Sequence, residues 1–176
     1  MTATHVHGWH GLYEGVVVSA ADPTGVGLLQ VRVPEVLGND AQVWAAPLTP
    51  LAGTDCGMYV VPPQDSGVWV RFLDGDPERA VCVGFRRRGS GDVPPVARPA
   101  DPDVPQIVLA TPSGHALIIK DTPGTQGGIK LQLSNGMGPF IEITQKSIEI
   151  SCGPGLATIR LEDRMATVNE DALKVL

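Results

Sequence analysis

The C-terminal part of the chain, from residue 107 on, carries apolar residues in brief groups that mostly alternate with polar ones. Turn sequences such as TPGTQGG, SNGMGP and SCGPG separate these groups, so each strand can be only about three to five residues long. Alternation of this kind is typical of strands with one apolar face. The groups are Ile107 and Leu109, Leu117 to Ile119, Ile129 to Leu133, Ile141 and Ile143, Ile148 and Ile150, Ile159 and Leu161, and Leu173 and Val175.

A ribbon of such strands cannot enclose a core by itself. Leaving an Ile or Leu exposed forfeits roughly 1.5–3 kcal/mol, so about a dozen of them forfeit on the order of 20–30 kcal/mol per chain. Because net stabilities are only about 5–15 kcal/mol, we expect ribbons from several chains to meet around a common axis. The residues alone leave a two-sheet dimer and a trimer open. The side chains predicted to point at the axis are Ile129, Leu131, Leu133, Ile141, Ile143, Ile148, Ile150, Ile159, Leu161, Leu173 and Val175.

The first half of the chain shows longer strand patterns. Between the first two strands, Asp22 and Pro23 followed by Gly25 and Gly27 predict a hairpin turn. Pro23 presets φ, the Asp22 carboxylate can bond to nearby backbone, and glycine tolerates positive φ. Five or six antiparallel strands without helical periodicity fit a small closed barrel of the OB type. The predicted strands are 13–19, 28–34, 42–46, 57–61, 67–73 and 79–85.

A proline-rich segment divides the two halves. Residues 89–106 carry prolines at positions 94, 95, 99, 102 and 105, which predicts an extended and stiff linker. The predicted organisation is an N-terminal arm at 1–11, an OB-fold domain at 12–88, this linker, and a β-ribbon at 107–176.

Composition excludes several classes of function. The chain has 13 basic and 19 acidic residues and a net charge of −6, which argues against nucleic-acid binding. Its one basic run, 86–88, is interpreted as a solvated strand end or as a contact with an acidic neighbouring subunit. No apolar stretch of 18 residues and no secretory signal occur, so we expect synthesis in the cytoplasm. The three cysteines, Cys56, Cys82 and Cys152, are odd in number and far apart, which favours buried thiols over disulfides.

No catalytic pattern is convincing. Ser113, His115 and Asp121 have the residue types of a hydrolytic triad, but Ser113 and His115 flank a glycine in a turn and need not converge. The carboxylate pairs 162–163 and 170–171 are sequence neighbours, so on strands they would face opposite ways. We therefore predict that the chain is not an enzyme, and the absence of paired acids argues against a cell-wall glycan hydrolase in particular.

Several motifs, in order, carry a family resemblance over nearly the whole chain. The first half includes Asp22 to Gly27 (DPTGVG), Pro62 to Phe72 (PPQDSGVWVRF) and Gly75 to Gly84 (GDPERAVCVG). The second half includes Thr111 to His115 (TPSGH) and Asp121 to Gly124 (DTPG), followed by Ile-x-Leu repeats. The chain resembles phage baseplate assembly protein V and VgrG-type spikes, in which an OB-fold barrel precedes an intertwined trimeric β-helix, or β-prism.

The resemblance implies an all-β homotrimer that forms the structural central spike of a contractile phage tail or a phage-like injection system. It also implies a tail hub protein at the N-terminal end, a place for a PAAR-like tip protein at the C-terminal end, and transient contact with a target membrane as the spike pierces the envelope. The expected location is a virion tail baseplate or an injection particle, and no cofactor is expected. The alternative is an OB-fold module that binds oligonucleotides or glycans.

His5, His7 and His10 suggest one further alternative. An HxH pair from each of three chains would offer six imidazoles, enough for an octahedral ion. Some related spikes place such a pair near the C-terminal tip, whereas here it lies at the N-terminus. We therefore interpret the segment as a flexible arm or a hub-contacting strand and predict no metal site.

Overall fold

A computed structural model of the chain describes residues 8–98, 103–169 and 172–175. The pair His5 and His7 lies outside these residues, as do Glu170 and Asp171. The chain divides into two units, residues 1–90 and 91–176, which are described separately below. The fold prediction is confirmed, because the chain is almost entirely β with a closed barrel in its first half and a β-rich second half.

The first unit contains the strands β1 (Tyr13–Ser19), β2 (Leu29–Arg32), β3 (Val43–Pro47), β4 (Ala52–Gly53), β5 (Cys56–Gly57), β6 (Gly67–Phe72) and β7 (Ala80–Arg86). Five of them form a closed barrel with the strand order β1-β2-β3-β7-β6. Its neighbours pair in antiparallel fashion except β3 and β7, which are parallel. A four-residue helix, α1 (Pro34–Leu37), and a 3-10 turn at Leu73–Gly75 complete it.

Small β-branched side chains fill the barrel. In β6, Val68, Val70 and Phe72 point inward and are at most 1% exposed, while Arg71 between them is exposed. This alternation is what a strand with one buried face requires. Valine dominates because a five-stranded barrel is too narrow for many aromatic rings, which fits the aromatic content of 5%. The buried set is Val17, Leu29, Val31, Val33, Ala45, Val68, Val70, Phe72, Ala80 and Cys82.

The first unit differs from the prediction in the parallel pairing of β3 and β7, and in two predicted strands whose bounds change because of proline. The strand predicted at 57–61 is wrong: β5 ends at Gly57 and residues 58–61 are irregular. Pro62 and Pro63 follow, and prolines cannot donate to a strand ladder. The strand predicted at 28–34 ends early because Pro34 occupies the first turn of α1, where its fixed φ is favourable.

The second unit is an antiparallel sheet of eight strands whose spatial order follows the chain order. Each strand pairs with the next along the chain, so only the first and last strands have an unpaired side. Two 3-10 turns, Gly124–Gln126 and Ser134–Gly136, lie between strands. The strands are β8 (Gln106–Ala110), β9 (Ala116–Lys120), β10 (Gly128–Gln132), β11 (Phe140–Ile143), β12 (Ser147–Ser151), β13 (Thr158–Glu162), β14 (Met165–Val168) and β15 (Leu173–Val175).

The proline-rich segment is less extended than predicted. It contains 3-10 turns at Ser90–Asp92 and Pro95–Ala97. The fixed φ of proline suits this conformation as well as an extended one. The Gln106 side chain then donates from Nε2 to the Ala97 carbonyl at 2.9 Å, which ties the end of the segment to the start of β8.

Candidate functional site

Two rows of apolar residues cross all eight strands of the second unit. Directly opposed residues of neighbouring strands lie on the same face of a sheet, as do residues two apart along a strand. The strand register therefore places both rows on one face. The first row is Ile107, Ile119, Ile129, Ile143, Ile148, Leu161, Ala166 and, by backbone register, Val175. The second row is Leu109, Leu117, Leu131, Ile141, Ile150, Ile159, Val168 and Leu173.

This apolar face is uncovered in the single chain. Ile107 is 63% exposed, Leu131 is 52% exposed and Leu173 is 58% exposed. Monomeric proteins rarely leave a contiguous apolar surface of this extent open to water, and such surfaces mark interaction sites. The face is therefore the best candidate for a functional surface within the described residues.

The opposite face of the sheet carries ion pairs. Lys130 Nζ lies 3.4 Å from Glu142 Oε1, and Arg160 Nη2 lies 3.1 Å from Glu162 Oε2. Lys130 also sits over the Phe140 ring, 4.3 Å from its centroid. Surface ion pairs contribute only about 0–1 kcal/mol each, so their main effect here is to keep this face in water. Among the described residues, the ion pairs of the sheet are thus confined to this face, while the two apolar rows lie on the other.

The structure brings the predicted axis residues together on the apolar face, with two qualifications. Leu133 lies one residue beyond β10, where its amide donates to the Pro139 carbonyl at 3.0 Å, so it belongs to a turn beside the rows. For Val175 only the backbone is described, and its register places it opposite Ala166. Whether these residues face an axis shared between chains stays a prediction.

Sequence reasoning left β8 and β9 out of the set of axis residues. The run Leu117-Ile118-Ile119 is apolar throughout, so the sequence does not show which of its residues lie on which face of the sheet. Pairing with β10 decides the face, because Leu117 lies opposite Leu131 and Ile119 lies opposite Ile129. Ile118 points to the other face and is only 7% exposed. The alternation in the neighbouring strand was the signal that could have extended the rows.

The turn between β1 and β2 is organised by Asp22. Its carboxylate accepts from the Thr24 amide at 2.8 Å, the Gly27 amide at 2.8 Å and the Leu28 amide at 3.0 Å. Desolvation opposes ionisation of Asp22, but these bonds and one from the Thr24 hydroxyl outweigh it and lower its pKa from 3.8 to about 2. Gly25 and Gly27 have φ of 74° and 89°, the left-handed region that glycine adopts most readily. Pro23 directly follows Asp22, so the four predicted turn residues all lie in this one turn.

The triad candidates do not come together. Ser113 and His115 precede β9, whereas Asp121 follows it, so the length of β9 separates them. Five residues of strand span about 16 Å, too far for a hydrogen-bonded relay. His115 instead accepts a hydrogen bond at Nδ1 from the Ser134 amide, at 3.2 Å.

Other candidate sites give little chemistry. The part of the chain that the structure describes holds no cluster of three His, Cys, Asp or Glu side chains suited to a metal ion. Of the basic run, Arg86 pairs through Nη2 with Glu14 Oε2 at 2.6 Å and lies 5.7 Å from the Trp69 ring centroid. The expectation of buried thiols is correct for Cys82 but wrong for Cys56 and Cys152, which are exposed. Within the described ranges, no helix is long and apolar enough to cross a membrane.

Comparison with known families matches both units. A family model described as the type VI secretion system/phage-baseplate injector OB domain matches residues 13–86, the range of the barrel. A second model, described as the phage baseplate V C-terminal trimerisation domain, matches residues 106–174, the range of the eight-stranded sheet. No curated protein matches the chain. Each of the two family models thus matches one of the two structural units.

Proposed function

The chain belongs to the phage baseplate V and VgrG-type spike family, and from this we propose that three copies form the central spike of a contractile phage tail or a phage-like injection system. The two family matches support a structural role in a baseplate or injector, and the trimerisation domain supports a homotrimer. One observation carries the proposal further: in one chain, most of the residues in both apolar rows are exposed, and those of β8, β10, β11, β12 and β13 all are.

Trimerisation gives these rows a place out of water. Three sheets arranged around a three-fold axis, each forming one wall of a prism, would direct their apolar faces inward and their charged faces outward. Side chains such as Leu131, which are about half exposed in one chain, would each gain about 1 kcal/mol on burial. Over two rows the sum is on the order of 10 kcal/mol per chain, comparable with the net stability of a domain. Closed cyclic symmetry also prevents growth into a fibre.

The roles of the two ends are proposals from the same family. We place a tail hub protein at the barrel end and a PAAR-like tip protein at the C-terminal end. On sheath contraction the spike would pierce the target envelope and touch the membrane only in transit. The charged outer face supports this, since pairs such as Lys130 and Glu142 favour water over lipid. The baseplate matches support a location in a phage tail or injection particle.

The proposed role needs no catalysis. Both matched families are described as parts of an injector or baseplate. The separation of Ser113 and Asp121 by β9 is in keeping with a structural protein. We expect the purified chain to leave peptidoglycan intact in a zymogram, and a cleared band would contradict the proposal.

Light scattering on the purified protein tests the central claim. The expected mass is three times that of the 18.5 kDa chain, and negative-stain electron micrographs should show a narrow particle with three-fold symmetry. A monodisperse single chain that does not bind a dye specific for exposed apolar surface would contradict the proposal, because its rows would then be covered without partners.

A further inference from the structure

Residues 48–61, here named the barrel arm, connect β3 to β6 along the chain and contain the β4–β5 hairpin. In its narrow ladder, Ala52 pairs with Gly57. The Met58 amide donates to the Leu51 carbonyl at 2.9 Å, and the Thr49 hydroxyl donates to the Met58 carbonyl at 2.9 Å. The arm is therefore held by backbone bonds and not by burial of its side chains.

The barrel arm is apolar and open to solvent at the same time. No residue from 48 to 61 is buried, and Asp55 is the one charged residue among them. Such a surface is expensive to leave in water, and a contiguous patch of this kind marks an interaction site. The exposed large side chains are Leu48 (68%), Leu51 (58%), Met58 (50%), Tyr59 (69%), Val60 (51%) and Val61 (62%).

The arm is also held stiff before any partner arrives. Pro47 and Pro50 precede its ladder, and Pro62 and Pro63 follow it, each with φ fixed by its ring. The Tyr59 ring lies against Gly27 of the β1–β2 turn, so close that a Cβ there would come within 2.9 Å of its Cε2. A preorganised surface loses little entropy on binding, which suits a docking element better than a mobile loop.

We propose that the barrel arm of each chain packs against the barrel unit of a neighbouring copy in the same trimer, an inference that rests on the proposed function. Its size favours this occupant. Six half-exposed side chains offer a few hundred Å², as the largest patch on a monomer commonly does, whereas a free partner needs about 800 Å² per side. A contact this small is useful when another interface already holds the partner nearby.

The C-terminal unit provides that other interface. Trimerisation of the sheets would tether three barrels through segments of fewer than twenty residues, from the end of β7 at Arg86 to the start of β8 at Gln106. Short tethers give effective concentrations in the millimolar range, at which a weak apolar contact is occupied. In cyclic symmetry such a contact is heterologous, so the arm of one chain meets a different surface of the next.

A thiol at the arm makes the test direct. In the full chain carrying Cys152→Ser, Cys56 is the exposed thiol and Cys82 stays buried. Cys56 is labelled with benzophenone maleimide in a mixture of isotopically light and heavy chains, which is then irradiated. The expected result is mixed light–heavy dimers whose crosslinked peptides come from the barrel unit. Glu35→Cys on the exposed surface of α1, in a chain that also carries Cys56→Ser and Cys152→Ser, is the matched control and should crosslink far less.

The outcomes separate this inference from the function it rests on. A trimeric mass with no light–heavy crosslink, or with crosslinks only to the C-terminal unit, overturns the arm contact and leaves the spike proposal standing. A monomeric mass overturns both. Capture of a hub protein by the arm, with no crosslink between copies, also overturns the inference because it identifies a different occupant.

A double substitution in the same Cys56-labelled chain tests whether the apolar side chains of the arm make the contact. Val60→Ser with Val61→Ser removes two exposed methyl-rich groups, and we expect the crosslink yield to fall about tenfold at an unchanged trimer mass. Because both side chains are more than half exposed, circular dichroism of the variant should match that of the parent. An unchanged yield in a folded trimer would overturn the contact.

Discussion

Leu131→Asp is the sharpest test of the apolar rows. Leu131 lies in the middle of the second row, opposite Leu117 on one side and Ile141 on the other. It is 52% exposed in the single chain, so the isolated sheet should accept a carboxylate there. In a trimer with inward rows, the same change would bring three carboxylates together near the axis.

The magnitude follows from two terms. Trimerisation would bury the half of Leu131 that is exposed in the single chain, and losing this burial costs about 1 kcal/mol per chain, or about 3 kcal/mol per trimer. Each unpaired carboxylate taken out of water costs several kcal/mol more. The sum is at least about 10 kcal/mol per trimer, and at 1.4 kcal/mol for each factor of ten the association constant should fall by about 10⁷-fold.

Sedimentation velocity at pH 7 and near pH 4 measures the effect. We expect Leu131→Asp to be monomeric at pH 7 and to recover part of its assembly in acid, because desolvation and mutual repulsion raise the pKa of clustered carboxyls and favour their neutral form. Leu131→Asn should show only a modest weakening that does not depend on pH. Thr167→Asp, on the charged face beside Arg160, should assemble normally.

Two results would refute the reasoning. Full assembly of Leu131→Asp at pH 7 would mean that Leu131 does not face the interior of an assembly. Equal loss of assembly in Thr167→Asp would mean that any new charge disrupts the sheet, whichever face it lies on.

Three further predictions concern the barrel. Asp22→Ala should lower the thermal midpoint of the barrel at neutral pH. Because the pKa of Asp22 is lowered to about 2, the stabilising effect of its carboxylate is complete above about pH 4 and is lost as the pH falls through 2. Melting curves of the variant and the parent, recorded across that range, should therefore converge in acid. Gly75→Ala combines a φ of 75° with a Cβ only 2.6 Å from a backbone carbon of Gly8, whereas Gly25→Ala has a φ of 74° and open space around the new Cβ. Denaturant titration should show that Gly75→Ala lowers the free energy of unfolding by about 1–3 kcal/mol more than Gly25→Ala does. Equal losses would contradict the close approach at Gly75. Burial raises the pKa of the Cys82 thiol, so mass spectrometry after brief alkylation at pH 8 should find the two exposed cysteines modified and Cys82 intact; rapid labelling of all three would contradict a closed barrel.

Much of the fold could be predicted because local pattern and tertiary contact agree. The strand expected at 13–19 has the bounds Tyr13–Ser19 in the structure. The Asp22 turn was foreseeable because a carboxylate and two glycines at that spacing satisfy each other locally. Where a nearby proline changes the backbone, as at Pro34 and Pro62, the apolar pattern alone gave strands that are too long or absent.

The candidate surface was only partly predictable. Alternation placed residues such as Ile129 and Leu131 on one face, but the phase of Leu117 and Ile119 depends on pairing with the next strand. The barrel arm was missed for a different reason. A short run rich in Val and Tyr has strand propensity, and only the flanking chain geometry shows that it stays exposed. The number of chains came from the family, since burial could equally be achieved by two sheets.

The order of the eight strands has a consequence for how such a molecule changes its dimensions. Every strand of the sheet pairs with its sequence neighbours, and each adds one residue to either row. Inserting or deleting a hairpin of two strands would therefore lengthen or shorten the sheet by about 9.5 Å, and the remaining strands could keep their nearest-neighbour pairing. The length of the C-terminal sheet can thus change in whole steps of one hairpin while both apolar rows keep their register.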